Sequence, residues 1–122
     1  MRRHILIIFI LFLLFVSSFL LGCTKEKEIL IPDCIKSNIE TFWFCEQSGA
    51  VGQFSFQGQI VYVFDPGNCG ADMQAPVYNE NCDCIGALGG FAGNNIINGV
   101  LFSDNAKFIK NIWENGAYIP DN

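Results

Sequence analysis

The sequence predicts an α+β domain, with an N-terminal helix packed on an antiparallel sheet of four or five strands and disulfides stapling the two. Three observations carry this. Ile35, Ile39, Phe42 and Trp43 recur at helical spacing. Residues 53–64 alternate apolar and polar side chains, then turn apolar throughout, around a Gln57-Gly58 pair that suits a tight hairpin. Five cysteines (Cys34, Cys45, Cys69, Cys82 and Cys84) fall within residues 29–122, a density that suits a disulfide framework in a small exported domain.

Export is read from the first 23 residues, MRRHILIIFILFLLFVSSFLLGC. Arg2 and Arg3 form a basic start, Ile5 to Val16 is an unbroken apolar run, and Ser17 and Ser18 follow. This is the layout of a secretory signal. The apolar stretch 5–21 includes two serines and only just approaches the ~20 residues of a membrane span. Leu20-Leu21-Gly22-Cys23 resembles the lipobox of bacterial lipoproteins. The resemblance implies cleavage between Gly22 and Cys23 and a diacylglycerol on the Cys23 thiol. Acyl chains contribute about 0.8 kcal/mol per buried CH2, so two or three hold a protein on a membrane. The expected organisation is a signal peptide at 1–22, a lipidated cysteine and charged tether at 23–28, and a single globular domain at 29–122. The expected location is the extracytoplasmic side of a bacterial cell envelope, which means the outer membrane or cell surface in a Gram-negative cell.

Both arginines and the only histidine, His4, lie in the signal. From Cys23 onward five lysines face twelve acids, a net charge of −7. An acidic chain without arginine is a poor partner for phosphate backbones, so nucleic acid is not an expected ligand.

The elements follow in order. Asp33 is a fair N-cap for a helix over 34–44, with Gly49 and Gly52 marking the exit. The hairpin comes next. Its second strand, Ile60 to Phe64, is apolar on both faces and therefore expected in the middle of the sheet. Asp65-Pro66-Gly67 reads as a turn, with proline suited to its second position and glycine to its third. A second strand pair is expected at Ala75–Tyr78 and Cys82–Leu88, joined through Asn79-Glu80-Asn81. The glycines of GALGGFAG suit a strand end and a wide turn, and no dinucleotide fingerprint is present. Gly99 to Asn105 is expected as a short helical turn or loop. Residues 106–114 fit either a helix or a strand. Their β-branched and aromatic content tips them to a strand closing the sheet, with Ala106, Phe108 and Ile112 on one face and Ile109 and Trp113 on the other.

QGQIVYVFDPGNCGADM, LGGFAGNNIING and the closing Ile112-Trp113 resemble a family of small bacterial lipoproteins built on one domain of unknown function. The resemblance covers roughly 34–113. It implies cysteines at Cys34, Cys45, Cys69 and Cys82, with Cys84 as an extra. It implies no activity.

Five thiols beyond Cys23 leave one free or paired between molecules. In a continuous helix Cys34 and Cys45 would lie about 16 Å apart, well beyond the ~7 Å limit of a disulfide. A direct bridge between them needs a broken helix, so the helix end is expected to be tied to the sheet or its loops. Cys69 with Cys82 is the favoured single pairing. Cys82 and Cys84 on one strand would share a face and meet different partners. A zinc site is disfavoured by the lone Cys82-Asp83-Cys84 pair with no second knuckle. Asp65, Asn68, Asp72, Glu80 and Asp83 lack a calcium-loop pattern and suit solvated turns. With no histidine after position 4, serine and cysteine nucleophiles lack their usual base. No catalytic residue, metal or cofactor is therefore expected. The expected function is a non-catalytic binding module for an envelope or extracellular partner, with Tyr78, Phe91 and Tyr118 as contact candidates. The alternatives are a structural envelope component, or a thiol-redox or metal-binding protein.

Overall fold

The computed structural model describes residues 2–17, 30–46 and 48–121. The expected cleavage site at Gly22, the lipidation candidate Cys23 and the expected tether to residue 28 lie outside the described residues. Two units are distinguished, one ending at Leu30 and one spanning Ile31–Asn122. The first holds helix α1, Arg2–Ser17. At about 1.5 Å per residue its 16 residues extend about 24 Å. Among the described residues no helix is long and apolar enough to cross a membrane.

The second unit is a helix on a six-stranded antiparallel sheet. Its elements are α2 (Asp33–Thr41), β1 (Ala50–Phe56), β2 (Gln59–Asp65), β3 (Gln74–Asn79), β4 (Cys84–Gly89), β5 (Ile96–Ile97), β6 (Val100–Leu101), α3 (Phe102–Asn105), β7 (Ala106–Glu114) and β8 (Ala117–Tyr118). The sheet order is β4-β3-β2-β1-β7-β8, with β5 and β6 forming a separate hairpin. The α+β class with disulfides therefore holds, with six strands in the main sheet instead of four or five. The two-residue strands β5, β6 and β8 are too short to leave a periodic signal.

Strands β1 and β2 pair from Ala50–Asp65 to Phe56–Gln59 around Gln57 and Gly58, both at positive φ, as a twisted two-residue turn requires. β2 is central and four of its residues are buried, because both faces of the sheet are covered. On one face Ile35 and Ile39 of α2 pack with Val51, Tyr62, Phe64 and Ile112. On the other, Phe56, Val61, Val63 and Val77 meet Ile97 and Phe102 from the β5–β6 hairpin and α3. Gly86 at φ 154° lets the hairpin close on the sheet, since a Cβ there would lie 2.6 Å from Ile97 Cδ1.

Helix α2 begins one residue earlier and ends three residues earlier than its apolar spacing predicts. Pro32, not Asp33, occupies the N-cap, and its carbonyl accepts from the Ile35 and Lys36 N–H groups. Asp33 instead sits in the first turn, where its charge favours the positive end of the helix. At the far end the Thr41 hydroxyl donates to the Ser37 and Asn38 carbonyls, and Phe42 is extended. Beyond it the side chains alternate: Phe42 and Phe44 pack inward and Trp43 stands exposed.

β7 is the expected strand at 106–114, but it does not alternate cleanly. Val51 pairs with Trp113 and Gly52 with Asn111, then Gln53 pairs with Lys110 and Phe54 with Phe108. Ile112 and Ile109 are thus extra residues at two bulges. The bulges let Ile112 and Trp113 both pack on the α2 side, while Phe108 meets Phe54 at 5.3 Å on the hairpin side. The expected sharing of one face by Phe108 and Ile112 is therefore overturned.

Candidate functional site

The disulfides build the walls of the site. Cys34 bonds Cys82 and Cys45 bonds Cys69, with Cα separations of 6.1 and 5.5 Å. The favoured Cys69–Cys82 pairing is corrected, and the reason is β3. This strand runs between them, and six residues at about 3.3 Å each hold its ends about 20 Å apart. Cys69 lies before its start and Cys82 beyond its end. Each takes the cysteine at the nearer end of the α2 segment, so the tie between helix and sheet is double. Cys82 is not on β4. It occupies the preceding turn at φ 65°, where the Asn79 side chain accepts from the Asn81 and Asp83 N–H groups at 3.0 and 2.9 Å. The expectation that Cys82 and Cys84 share a strand face therefore fails. Cys84 is exposed and unpaired among the described residues.

The loop holding Cys69 is packed against the segment holding Cys45. The Cys45 N–H donates to the Pro66 carbonyl at 2.7 Å, and the Asn68 N–H to Ser48 Oγ at 3.0 Å. Gly67 at φ 89° makes this approach possible, because a Cβ there would fall 2.3 Å from Ser48 Oγ. The disulfide and these bonds fix residues 42–46 against the sheet.

A groove opens along that fixed segment. Its volume is about 720 Å³. It is lined by Ile39 and Glu40, by the 42–46 segment, and by Trp113 and Tyr118. Asn115 and Gly116 make the β7–β8 turn at positive φ, held by the Asn115 N–H donating to the Gly49 carbonyl at 3.0 Å. The floor is aromatic. Phe44 lies 4.1 Å from Trp113 and 4.7 Å from Phe42 between ring centres, and Phe64 continues the cluster to Tyr78 at 5.0 Å. The walls are aromatic too, and wet: Trp43 is 64% exposed and Tyr118 46%. The rim carries two exposed carboxylates, Glu40 and Glu46, and no lysine or arginine among the described residues lines the groove. Lys36, one turn from Glu40, pairs instead with Asp33 at 3.3 Å.

On the α2 face of the sheet, Gln53 is fully buried and its Nε2–H donates to the Tyr62 hydroxyl at 3.3 Å. Its Oε1 has no hydrogen-bond partner among the described residues. Burial pushes the Tyr62 phenol above its ordinary value near 10, opposed by the Gln53 hydrogen bond and aided by Glu80. Burial likewise raises Tyr78, with Cys84 adding to the rise.

A smaller hollow of about 310 Å³ lies beside the Asp65–Met73 loop. Among the described residues no acid, cysteine or histidine cluster suited to a metal ion is present.

A family model described as Domain of unknown function (DUF6970) matches residues 45–115, more than half of the chain. The chain belongs to this family. No curated protein and no solved structure matches it. The DUF6970 segment contains the Cys45–Cys69 bridge whole, together with Cys82 and Trp113. Trp43, Tyr118 and α2 lie outside the matched residues.

Of the three aromatics expected as contacts, Tyr118 lines the groove and Phe91, 92% exposed, stands away from it on the turn after β4. Tyr78 is half-buried and packs on Phe64, so it is a core residue and not a contact surface. Sequence reasoning missed Trp43 as a surface residue by placing it on a helix. Phe42-Trp43-Phe44 is aromatic throughout, so neither a helical nor a strand period shows there, and no local signal marks Trp43 as the outward one.

Proposed function

We propose that this DUF6970 protein is a lipid-anchored extracytoplasmic binding module of a bacterial envelope, and that its ligand surface is the aromatic groove. The observation that carries the binding reading is the exposure of Trp43, on a segment tied by the Cys45–Cys69 disulfide, in a groove it shares with Trp113 and the exposed Tyr118. Exposed aromatics around a concave floor retain apolar area for a partner to cover. The lipobox resemblance at Leu20–Cys23 supports the anchor. A chain whose only histidine is His4 supports a non-catalytic role. Thiol chemistry at Cys84 is the second reading, favoured by its exposure.

Both tryptophans of the chain line the groove, so intrinsic fluorescence reports its occupancy. Titration of the full-length chain with basic, acidic and neutral peptides and with oligosaccharides should shift the emission for at least one class. A panel without any shift would remove the binding reading. The anchor is tested separately: Cys23→Ala should abolish incorporation of an alkyne-labelled fatty acid and release the protein from the membrane fraction.

A further inference from the structure

The walls of the groove and its rim differ in chemistry, and together they select a class of ligand. We propose that the groove takes a peptide segment bearing arginine or lysine, an inference that rests on the groove being a binding site. The walls supply three aromatic side chains, Trp43, Trp113 and Tyr118. Aromatic faces attract cations, tryptophan most strongly, and a guanidinium also stacks flat on them. The rim supplies Glu40 and Glu46, both exposed. Neither carboxylate has an ion-pair partner among the described residues. A carboxylate beside an aromatic face gives an arginine a bidentate partner and a stacking surface at once.

The surroundings favour the same sign. Residues 31–122 carry three lysines against ten acids, a net charge of −7 with no arginine. Two of those lysines are engaged, Lys36 by Asp33 and Lys110 by Asp121. Such a field steers cationic partners inward and repels phosphate groups and anionic lipid surfaces. The size of the groove points to a chain segment. At about 720 Å³ and open to solvent, it is large for a single ammonium group and suits several consecutive residues. A neutral sugar also stacks on tryptophan and tyrosine, but it leaves the charge of Glu40 and Glu46 unused.

The test uses the full-length chain in non-ionic detergent. The probe is a fluorescein-labelled Gly-Arg repeat hexapeptide, followed by anisotropy, with glutamate and serine counterparts. A tetramer of N-acetylglucosamine is followed by tryptophan emission. The arginine peptide should bind, the other two should not, and its affinity should fall about tenfold between low and physiological salt as exposed charges are screened. Trp43→Ala and the pair Glu40→Gln/Glu46→Gln should each weaken it about tenfold. Asp72→Asn with Glu80→Gln removes the same charge elsewhere and should change affinity less than twofold. Equal weakening by that control pair would mean unspecific adsorption to an acidic domain and would overturn the proposal. Absence of arginine-peptide binding overturns it as well. If the sugar alone shifts the emission, and Trp43→Ala abolishes the shift, the cationic ligand is refuted while the groove remains a binding site.

Discussion

On one face of the sheet α2 lies between two disulfides; on the other the β5–β6 hairpin and α3 are held by apolar contacts and hydrogen bonds, with no cystine among the described residues. The hairpin side closes well without cross-links because its pieces are complementary. Phe56, Phe102 and Ile97 are buried, and Phe102 packs against both Phe54 and Phe56 within 5.4 Å. The α2 side buries two residues of a nine-residue helix, Ile35 and Ile39, as many as the hairpin and α3 bury with Ile97 and Phe102. A helix that short is marginal by itself. The difference teaches that the cysteines stand at the two ends of a segment whose helix is short, and that they leave the extended chain after α2 rigid enough to display side chains outward.

The largest effect should come from removing that covalent support. Cys34 and Cys82 close a separation of 48 residues, and Cys45 and Cys69 one of 24. On the chain-entropy model these bridges contribute about 4 and about 3.4 kcal/mol. A domain of this size is stable by about 5–15 kcal/mol in total. Cys34→Ser with Cys82→Ser should therefore lower the unfolding free energy by about 4 kcal/mol in urea titrations. Hydrogen exchange should locate the loss: α2 amides should lose protection before those of β1 and β2. Equal loss of protection around Ile97 and Phe102 would break the comparison, because the two faces would then be one cooperative unit.

The hairpin and the central strand were legible in the sequence because period-2 alternation and a Gln57-Gly58 turn act locally. The strand at 106–114 was legible from its composition, but its bulges were not, since a bulge is decided by the partner strand. The disulfide pairing was misread although its clue was present. A strand expected at 75–78 between Cys69 and Cys82 already separates the two thiols by most of a sheet's width. The groove was the least legible part. It needs α2 to stop at Thr41, and the choice between helix and extended chain at 42–44 is made by Phe64 and Trp113, distant residues that Phe42 and Phe44 pack against.

A smaller effect should come from the polar pair beneath α2. Gln53→Leu removes a buried amide and leaves the Tyr62 hydroxyl buried and unpaired, which should cost about 1–2 kcal/mol. Adding Tyr62→Phe should recover much of that loss, since both partners are then apolar. The pH dependence follows from the raised phenols. The folded state holds the Tyr62 and Tyr78 protons more tightly than the unfolded chain does. Their contribution is intact below pH 10 and is lost as pH rises through the raised folded values. Urea midpoints should fall above pH 10, and more gently in Tyr62→Phe than in the parent. An unchanged alkaline profile in that variant would mean that Tyr62 reaches solvent before it ionises.

The smallest effect on stability should be at Trp43, and its smallness is the point. Trp43 is 64% exposed between two inward-facing phenylalanines, so Trp43→Ala should change the unfolding free energy by less than about 0.5 kcal/mol. Trp113 packs on Phe44 with ring centres 4.1 Å apart, and its replacement by alanine should cost several times more. Urea titrations of the two variants separate a displayed aromatic from a packed one. A loss above about 1 kcal/mol at Trp43 would make it part of the packing that holds 42–46 on the sheet. The wall would then be structural, and its exposure would need no ligand to explain it. A negligible loss leaves a large aromatic side chain in water with no part in folding, held in place by a disulfide two residues away. That arrangement makes sense as a surface kept ready for a partner, and the α2 face is then the side of the molecule where stability and recognition are carried by adjacent residues.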